Sequence, residues 1–323
     1  MLLILTEPFP GTGMFSLHNV FLLASLTCSK NEVLFAFEKG TDFTSLFRGR
    51  GFRYVEHTET RRLFKEGITA VLFFKDILSG NDKKILSRAK KKGIPAAKVS
   101  YMGENLSGCD LIIDPSTHDY STTEAGGKIL SGPGYGILHN KFIHFHHLKR
   151  KYNRELRNIL IAAGDHFPYR ELRTLAETLI NNGYRVKLVP GKNFRRFNRK
   201  TLKRLYPSLQ ISGTPESHAR SFFETDLAVI DPEFSAAEAA ATGTPAIFIP
   251  QNNIGESTAL YYEEEGTGLV FRRRKKTGYS EILELLKFFT RENREKMGAA
   301  GKSLVDGRGV YRIAEALKSL IYN

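Results

Sequence analysis

Short runs of apolar residues alternate along the chain with segments whose apolar residues recur at helical spacing. Leu2–Thr6 is one such run, and after a loop rich in Pro and Gly the helical pattern follows over Met14–Thr27. A second helix is predicted at Asp82–Lys92, and further strands at Glu32–Phe37, Ala70–Phe74, Ile94–Val99 and Asp110–Asp114. Strands that are apolar throughout and joined by helices indicate a parallel sheet covered on both faces.

The same alternation starts again after the basic connection Lys149–Arg157. Strands are predicted at Asn158–Ala163, Tyr184–Val189, Leu227–Ile230 and Ala246–Ile249, and helices at Tyr169–Asn181, Ser235–Thr242, Glu281–Lys287, Arg291–Ala300 and Val310–Ile321. We therefore predict an α/β protein with two Rossmann-like, doubly wound domains, at residues 1–150 and 151–323. A ligand is expected in the cleft between them, at the carboxyl ends of both sheets.

The length and composition agree with two compact domains and exclude several other classes of protein. The chain has 323 residues, 41% of them hydrophobic and 25% charged, which is too apolar for a disordered chain. Cys28 and Cys109 are too few for a disulfide framework, and no apolar run approaches the roughly 20 residues that cross a bilayer. We therefore expect a cytoplasmic protein whose N-terminal apolar run is a strand rather than a signal peptide.

The formal net charge of +14 is the compositional feature that most needs an explanation. Basic residues cluster at Arg88–Lys92, Lys149–Arg154, Arg195–Arg204 and Arg272–Lys276, where helix ends and connections are predicted, and such runs are usually solvated. Phosphorylated ligands or an anionic membrane surface would be attracted by this charge, with the protein then peripheral at the inner membrane face. Nucleic acid is not favoured, because the sequence has no RNA-binding signature and no zinc-ligand spacing.

A glycine turn and a histidine cluster are the first candidates for chemistry. Gly11 and Gly13 follow the first strand and open a helix, where backbone N–H groups can hold phosphate. A degenerate dinucleotide fingerprint with Glu38 is a disfavoured alternative because the third glycine is missing, and a plain tight turn is another. His144, His146 and His147 lie within four positions, so they cannot all face one ion on a regular element. A surface segment is the favoured interpretation of the histidines, and we predict neither a metal nor a cofactor.

Three longer stretches carry a resemblance to a known family. The first is residues 132–142, Gly-Pro-Gly-Tyr-Gly-Ile-Leu-His-Asn-Lys-Phe. The second is Asp226–Ile230, followed by Ser235, Glu238 and the run Gly-Thr-Pro-Ala, and the third is the ending Asp-Gly-Arg-Gly-Val-Tyr-Arg-Ile at 306–313. In order and spacing these resemble the UDP-sugar hydrolases of pseudaminic acid biosynthesis (PseG) and the related spore-coat polysaccharide proteins (SpsG).

The resemblance implies the GT-B architecture of the MurG-type glycosyltransferases, with a UDP- or CMP-activated sugar held in the cleft and no cofactor. It implies that Glu238 contacts the ribose hydroxyls and that Ser235 lies near the phosphates; a carboxylate and a hydroxyl at a helix N-terminus suit these groups. The alternative is that Ser235 is only an N-cap and Glu238 its capping-box partner. The candidate nucleotide- and sugar-binding residues are Gly11, Gly13, Gly132, Tyr135, Gly164, Ser235, Glu238 and Asn253.

Several departures from the family concern the residues that would do the chemistry. Met14 stands where the hydrolases have a histidine, so the candidate general base becomes His18, one helical turn later. Pro232 and Glu233 replace a Gly-Gly pair and bring a negative charge to the expected diphosphate position. The loop after Gly164 and the pair Ser-Tyr at 100–101 also differ from the family pattern.

Two functions remain open on these observations. In the first, the chain is a nucleotide-sugar-binding GT-B protein of surface-glycan or nonulosonic acid biosynthesis, with altered hydrolase or glycosyltransferase chemistry. In the second, it is a catalytically inactive relative that acts as a binding or scaffold subunit. Met14, Pro232 and Glu233 favour the second function, whereas Tyr135 and Glu238 favour retained binding.

Overall fold

The computed structural model describes residues 1–6, 13–38, 47, 49–57, 63–75, 77–100, 108–117, 126–162, 164, 167–189, 194, 196–211, 215–272 and 278–322. At residues 13–18, 38, 56, 57, 196–198, 215, 216 and 234 only the backbone is described. The chain divides into two compact units. The N-terminal unit contains Met1–Phe9, Ser16–Ile137 and Arg308–Asn323, and the C-terminal unit contains Pro10–Phe15 and Leu138–Gly307.

The strands of the N-terminal unit form one parallel sheet. They are β1 (Leu2–Thr6), β2 (Val33–Glu38), β3 (Arg53–His57), β4 (Ala70–Phe74), β5 (Ala96–Val99), β6 (Leu111–Asp114) and β7 (Lys128–Ser131). Their order across the sheet is β3-β2-β1-β4-β5-β6-β7, and every pairing is parallel. The helices of this unit are α1 (Gly13–Thr27), α2 (Gly80–Lys91) and, from the C-terminal end of the chain, Gly309–Tyr322.

The C-terminal unit contains a second parallel sheet. Its strands are β8 (Asn158–Ala162), β9 (Arg185–Val189), β10 (Gln210–Ile211), β11 (Leu227–Ile230), β12 (Ala246–Phe248) and β13 (Gly268–Val270), in the order β10-β9-β8-β11-β12-β13. Its helices are α3 (Asn140–His147), α4 (Tyr169–Asn181), α5 (Arg196–Leu205), α6 (Pro215–Glu224), α7 (Pro232–Thr242), α8 (Asn253–Glu264), α9 (Ile282–Leu286) and α10 (Arg291–Leu304). Gly309–Tyr322 is therefore α11.

Both faces of the first sheet are covered, which explains why β1 is apolar from Leu2 to Leu5. Leu2 and Ile4 pack in one cluster with side chains of α1 and α11, whereas Leu3 and Leu5 pack in another with side chains of α2. Successive side chains of a strand point to opposite faces, so a strand between two helical layers has to be apolar throughout. The described residues include no helix that is long and apolar enough to cross a membrane.

The second sheet is built in the same way. Ile159 and Ile161 of β8 pack with α4, and Leu160 and Ala162 pack with the alanine-rich face of α7. The predicted fold class, α/β with two doubly wound sheets, is confirmed. The predicted bounds of β1, β4, β11 and α4 are those of the structure.

Apart from Pro10–Phe15, which is assigned to the C-terminal unit, the two units differ from the predicted domains, 1–150 and 151–323, in two places. Leu138 through α3 belongs to the C-terminal unit, and α11 belongs to the N-terminal unit. The physical reason for the second difference is that Val310, Ile313 and Leu317 of α11 are part of the cluster that covers β1. Such a pairing of the two chain ends leaves no local pattern in the sequence.

Candidate functional site

The order of strands in the C-terminal unit reverses between β8 and β11, and this is where doubly wound sheets bind ligands beyond the carboxyl ends of their strands. Gly164 follows β8, and Asp231 follows β11. A Cβ atom added to Gly164 would lie 2.5 Å from Oδ2 of Asp231. The chain therefore passes the buried Asp231 carboxylate at a distance that only glycine permits.

Helix α7 begins directly at this switch point and is capped by the chain itself. Asp231 is its N-cap, and Oδ1 of Asp231 accepts from the backbone N–H of Glu233 at 3.4 Å. Pro232 is the first helical residue and has no N–H to offer. Asp231 and Glu233 thus supply the negative charge that a helix N-terminus favours, where a phosphate would otherwise bind.

The start of α8 lies beside the start of α7. Asn252, the N-cap of α8, accepts from the backbone N–H of Gly255 at 2.7 Å and donates from Nδ2 to Oε2 of Glu233 at 2.9 Å. Asn253 is the first helical residue of α8 and is exposed. The structure therefore brings the predicted residue Asn253 to the same edge of the sheet as Gly164.

Ser235 and Glu238 both lie inside α7, which begins three residues earlier than predicted. The alternative that Ser235 is an N-cap with Glu238 as its capping-box partner is wrong, because Asp231 has the N-cap position. Ser235 is buried, and within the described part of the chain no hydrogen bond to its hydroxyl is found. Its hydroxyl lies one turn into the helix that starts at the switch point.

The Glu238 carboxylate is held by His218, a residue that the sequence analysis missed. Nε2 of His218 on α6 lies 2.8 Å from Oε2 of Glu238, and the two side chains are 15% and 19% exposed. The His218 ring stacks on Phe222, with centroids 5.4 Å apart and planes 18° apart. Its spacing of four residues from Phe222 was the available signal, since it places both rings on one helix face.

Gly132 and Tyr135 lie in the N-terminal unit. Gly132 follows β7 with φ 105°, and its N–H donates to the Asp114 carbonyl at 3.0 Å. A Cβ atom added to Gly309, at the start of α11, would lie 2.3 Å from the carbonyl oxygen of Gly136. The first and third resembling stretches thus pack against each other, which accounts for their glycines structurally, and a nucleotide-binding role for Gly132 and Tyr135 remains a prediction.

The remaining predicted residues lie mostly where the structure describes little. Gly13 begins α1, which also contains Met14 and His18, but the side chains of Met14 and His18 lie outside the described part of the chain. Gly11 lies outside the described residues altogether, as do residues 101, 165 and 166. The candidate role of His18 as a general base therefore stays a prediction.

The histidines of α3 pack along the C-terminal unit. His144 and His147 are exposed, whereas His146 is half-buried with Nδ1 at 3.2 Å from the Ala241 carbonyl oxygen. Burial lowers the pKa of His146 below its ordinary value. Among the described residues there is no group of three His, Cys, Asp or Glu side chains that could hold a metal ion.

The expectation that the basic clusters are solvated is wrong for Arg150. Arg150 is 9% exposed, and its guanidinium donates from Nη1 to Oγ1 of Thr244 at 2.9 Å and to the Phe222 carbonyl at 3.1 Å. Burial lowers its pKa to about 10. Arg150 closes the C-terminal ends of two helices, α6 and α7, through carbonyl groups that lack helical partners.

Helix α5 fits the expectation of a solvated basic face. Arg199, Lys200, Lys203 and Arg204 are exposed, and Leu205 beside them is 42% exposed. Leu202 is fully buried and fixes the helix to the core of the C-terminal unit. The helix therefore presents a continuous basic face with one apolar residue at its end.

Solved structures of known proteins match the fold of this chain, whereas comparisons at the level of sequence find no relative. No protein-family model and no curated protein matches the chain. Solved structures match over nearly its whole length. MurG of Acinetobacter baumannii has a TM-score of 0.67 and 14% identity, with 98% of this chain and 99% of that chain covered. The S. aureus MnaA–UDP complex has a TM-score of 0.66 and 14% identity, with 100% and 98% covered.

The spinosyn forosaminyltransferase SpnP has a TM-score of 0.68 and 12% identity, with 100% of this chain and 99% of that chain covered. At such low identities the likeness concerns the fold alone. The two parallel sheets and their strand orders agree with it. The chain therefore has the GT-B fold, built from two Rossmann-like units.

Proposed function

We propose that the chain binds a nucleotide-activated sugar, of the UDP or CMP type, through its C-terminal unit. The observation that carries the proposal is the Glu238 carboxylate, which is held by His218 on one oxygen and sits in the helix that follows the switch-point strand. Within the described part of the chain no hydrogen bond reaches its other oxygen, Oε1. A carboxylate with one uncommitted oxygen suits the vicinal hydroxyls of a ribose.

The choice of first ligand comes from a protein of the same fold, since the S. aureus MnaA structure is a complex with UDP. Titration calorimetry with UDP, CMP and a UDP-N-acetyl sugar tests binding directly. Glu238→Ala is expected to weaken binding by roughly ten- to a hundredfold, the loss of hydrogen bonds to a charged acceptor. Glu224→Ala, at an exposed residue of α6, is the matched control and should leave affinity unchanged. No binding of any nucleotide would refute the proposal.

We propose further that the chemistry is hydrolysis or glycosyl transfer in the synthesis of a surface glycan, related to that of the UDP-sugar hydrolases of pseudaminic acid biosynthesis. In hydrolysis, water attacks the sugar–phosphate linkage and UDP leaves with the bonding electron pair, while a base takes the proton of the water. His18 is the candidate base. Release of UDP from a bound UDP-sugar tests the reaction, and turnover that survives His18→Ala would remove His18 from it.

The start of α7 favours a second candidate function, that of a binding subunit without catalysis. Asp231 caps this helix and Glu233 adds a second carboxylate, so the diphosphate would meet negative charge where related anion sites offer N–H groups. On this alternative the chain binds a nucleotide sugar or a protein partner but releases no product. Nucleotide binding without UDP release over long incubation would support it.

The basic face of α5 suggests where in the cell the protein acts. We propose that Arg199, Lys200, Lys203 and Arg204 draw the protein to an anionic membrane surface at the cytoplasmic side, since exposed basic residues bind such surfaces by about 1 kcal/mol each. Sedimentation with phosphatidylglycerol vesicles should exceed that with phosphatidylcholine and fall with added salt. Lys200→Glu with Lys203→Glu should abolish the difference. Lys287→Glu with Lys296→Glu, also at exposed positions, is the charge-matched control.

A further inference from the structure

We propose that His218 is a positioning residue that fixes the Glu238 carboxylate and thereby sets the preference of the site for ribose over 2′-deoxyribose. This inference rests on the proposed binding of a nucleotide by Glu238. It adds a residue that neither the sequence resemblance nor the fold assigns.

The geometry defines the direction of the bond between the two side chains. An ionised carboxylate only accepts hydrogen bonds, so Nε2 of His218 carries the proton that it donates across 2.8 Å to Oε2 of Glu238. Both side chains are largely shielded from water, at 15% and 19% exposure. Shielding strengthens a charge-assisted hydrogen bond relative to one at a solvated surface.

The His218 ring is itself fixed by packing. It stacks on Phe222 at 5.4 Å, and the edge-on ring of Phe142 lies 6.0 Å away at 71°. The donor is therefore presented from a ring that aromatic contacts hold on two sides. Glu238 has three side-chain torsions, and in the described part of the chain His218 is the one side chain found hydrogen-bonded to its carboxylate, so its orientation depends on this donor.

The orientation decides what Glu238 can recognise. With Oε2 tied to His218, the carboxylate is held in one plane, and Oε1 is available to one ribose hydroxyl while the second lone pair of Oε2 is available to the neighbouring one. A ligand that lacks the 2′-hydroxyl loses one of these bonds. A carboxylate that rotates freely makes both bonds less well, so the ribose loses more affinity than the deoxyribose.

Two substitutions at His218 test the hydrogen-bond donor and the aromatic ring separately. His218→Phe keeps an aromatic ring against Phe222 and Phe142 but removes the donor. His218→Gln loses the ring but places an amide N–H near the position of Nε2. The affinities of UDP and 2′-deoxy-UDP are measured by calorimetry for the natural chain and for both variants, after thermal melting has shown that each variant is folded.

The natural chain should prefer UDP over 2′-deoxy-UDP by on the order of tenfold, the contribution of one hydrogen bond to a charged group. His218→Phe should reduce this ratio at least threefold, and His218→Gln should restore most of it. An unchanged ratio in His218→Phe, with UDP still bound by the natural chain, overturns the inference and leaves the proposed function intact. A ratio that falls equally in both variants assigns His218 a packing role and also overturns it. If the natural chain binds only CMP, the same ratio is measured with CMP and 2′-deoxy-CMP. If it binds neither UDP nor CMP, the proposed function and the inference fail together.

Discussion

The side-chain amide of Asn252 donates to the Glu233 carboxylate across 2.9 Å and so ties the start of α8 to the start of α7. Each of these helices is also capped by its own N-cap side chain, Asp231 for α7 and Asn252 for α8. The hydrogen bond fixes a negative charge between two helix N-termini, a place where an anionic ligand would otherwise be favoured. The charge of Glu233 is therefore the feature that most directly opposes a diphosphate at this edge.

Removing that charge should strengthen nucleotide binding. Glu233→Gln keeps an oxygen that accepts from Asn252 while losing the negative charge, so we expect the affinity for UDP to rise by roughly three- to tenfold at low salt. The measurement is calorimetric titration at two ionic strengths. Glu256→Gln, in the first turn of α8 and paired with Arg272, is the control. Unchanged UDP affinity in Glu233→Gln would mean that the diphosphate lies elsewhere.

The buried guanidinium of Arg150 should be a major contributor to the stability of the C-terminal unit. Arg150→Met removes the guanidinium donor from the carbonyl groups of Thr225 and Thr242, and it removes one of the donors at the Phe222 carbonyl and the Thr244 hydroxyl, which should cost about 3–5 kcal/mol of unfolding free energy. Chemical denaturation measures this cost. Arg154→Met, at an exposed neighbouring position, should change stability by less than about 0.5 kcal/mol. Equal effects of the two substitutions would contradict the packing described for Arg150.

The close approach of α11 to the turn after β7 should make Gly309 intolerant of any side chain. A Cβ atom there would lie 2.3 Å from the Gly136 carbonyl oxygen, so Gly309→Ala should destabilise the N-terminal unit by about 1–3 kcal/mol. The matched control is Gly134→Ala, since a Cβ atom at Gly134 has nothing within 4 Å. A shift in melting temperature for Gly309→Ala alone is the expected result. A similar shift in both variants would show a general sensitivity of this turn.

The two thiols should be unreactive in the folded protein. Burial raises the pKa of Cys109 to about 11 and raises that of Cys28 as well. Ellman's reagent at pH 8 should therefore modify neither cysteine until denaturant is added. Rapid modification of either thiol in the folded chain would contradict its burial.

The raised pKa of Cys109 also gives stability a dependence on pH. The folded state holds the thiol proton more tightly than the unfolded state. The contribution of the protonated Cys109 thiol to the free energy of unfolding is therefore complete below about pH 9 and is lost as the pH rises towards about 11. The loss should reach about 2–3 kcal/mol. Other groups titrate in the same window, so the measured quantity is the difference between the natural chain and Cys109→Ala. If the difference in unfolding free energy stays constant from pH 8 to 11, the pKa of Cys109 is not raised by burial.

Much of the fold could be predicted because the central strands are buried on both faces and therefore consist of apolar residues. β4 and β11 are apolar at every position and β1 is apolar from Leu2 to Leu5, because these strands lie between two helical layers, and the bounds predicted from this pattern are correct. The strands that were missed are short or lie at an edge. β7 is exposed or only partly buried, and β10 has two residues, so neither contains a run of apolar residues.

The candidate site was predictable only in part. The resemblance to the UDP-sugar hydrolases singled out Glu238 as a candidate, but its partner His218 lies on another helix, 20 residues earlier in the chain. The capping role of Asp231 was missed because Ser235 offered an equally good N-cap signal from sequence. Spacing identifies which residues share a helix, whereas the partner of a side chain depends on how helices pack.

The sequence by itself therefore determined the class of the protein, two α/β units with parallel sheets. Buried strands are apolar and alternate with amphipathic helices, and this alternation is visible along the chain. Only the tertiary structure decided that α11 covers β1, that Arg150 is buried among carbonyl groups, and that Glu238 is held by His218. The physical reason is the range of the interactions. Apolar periodicity is a property of neighbouring residues, whereas helix packing, buried hydrogen bonds and switch-point contacts join residues that are distant along the chain.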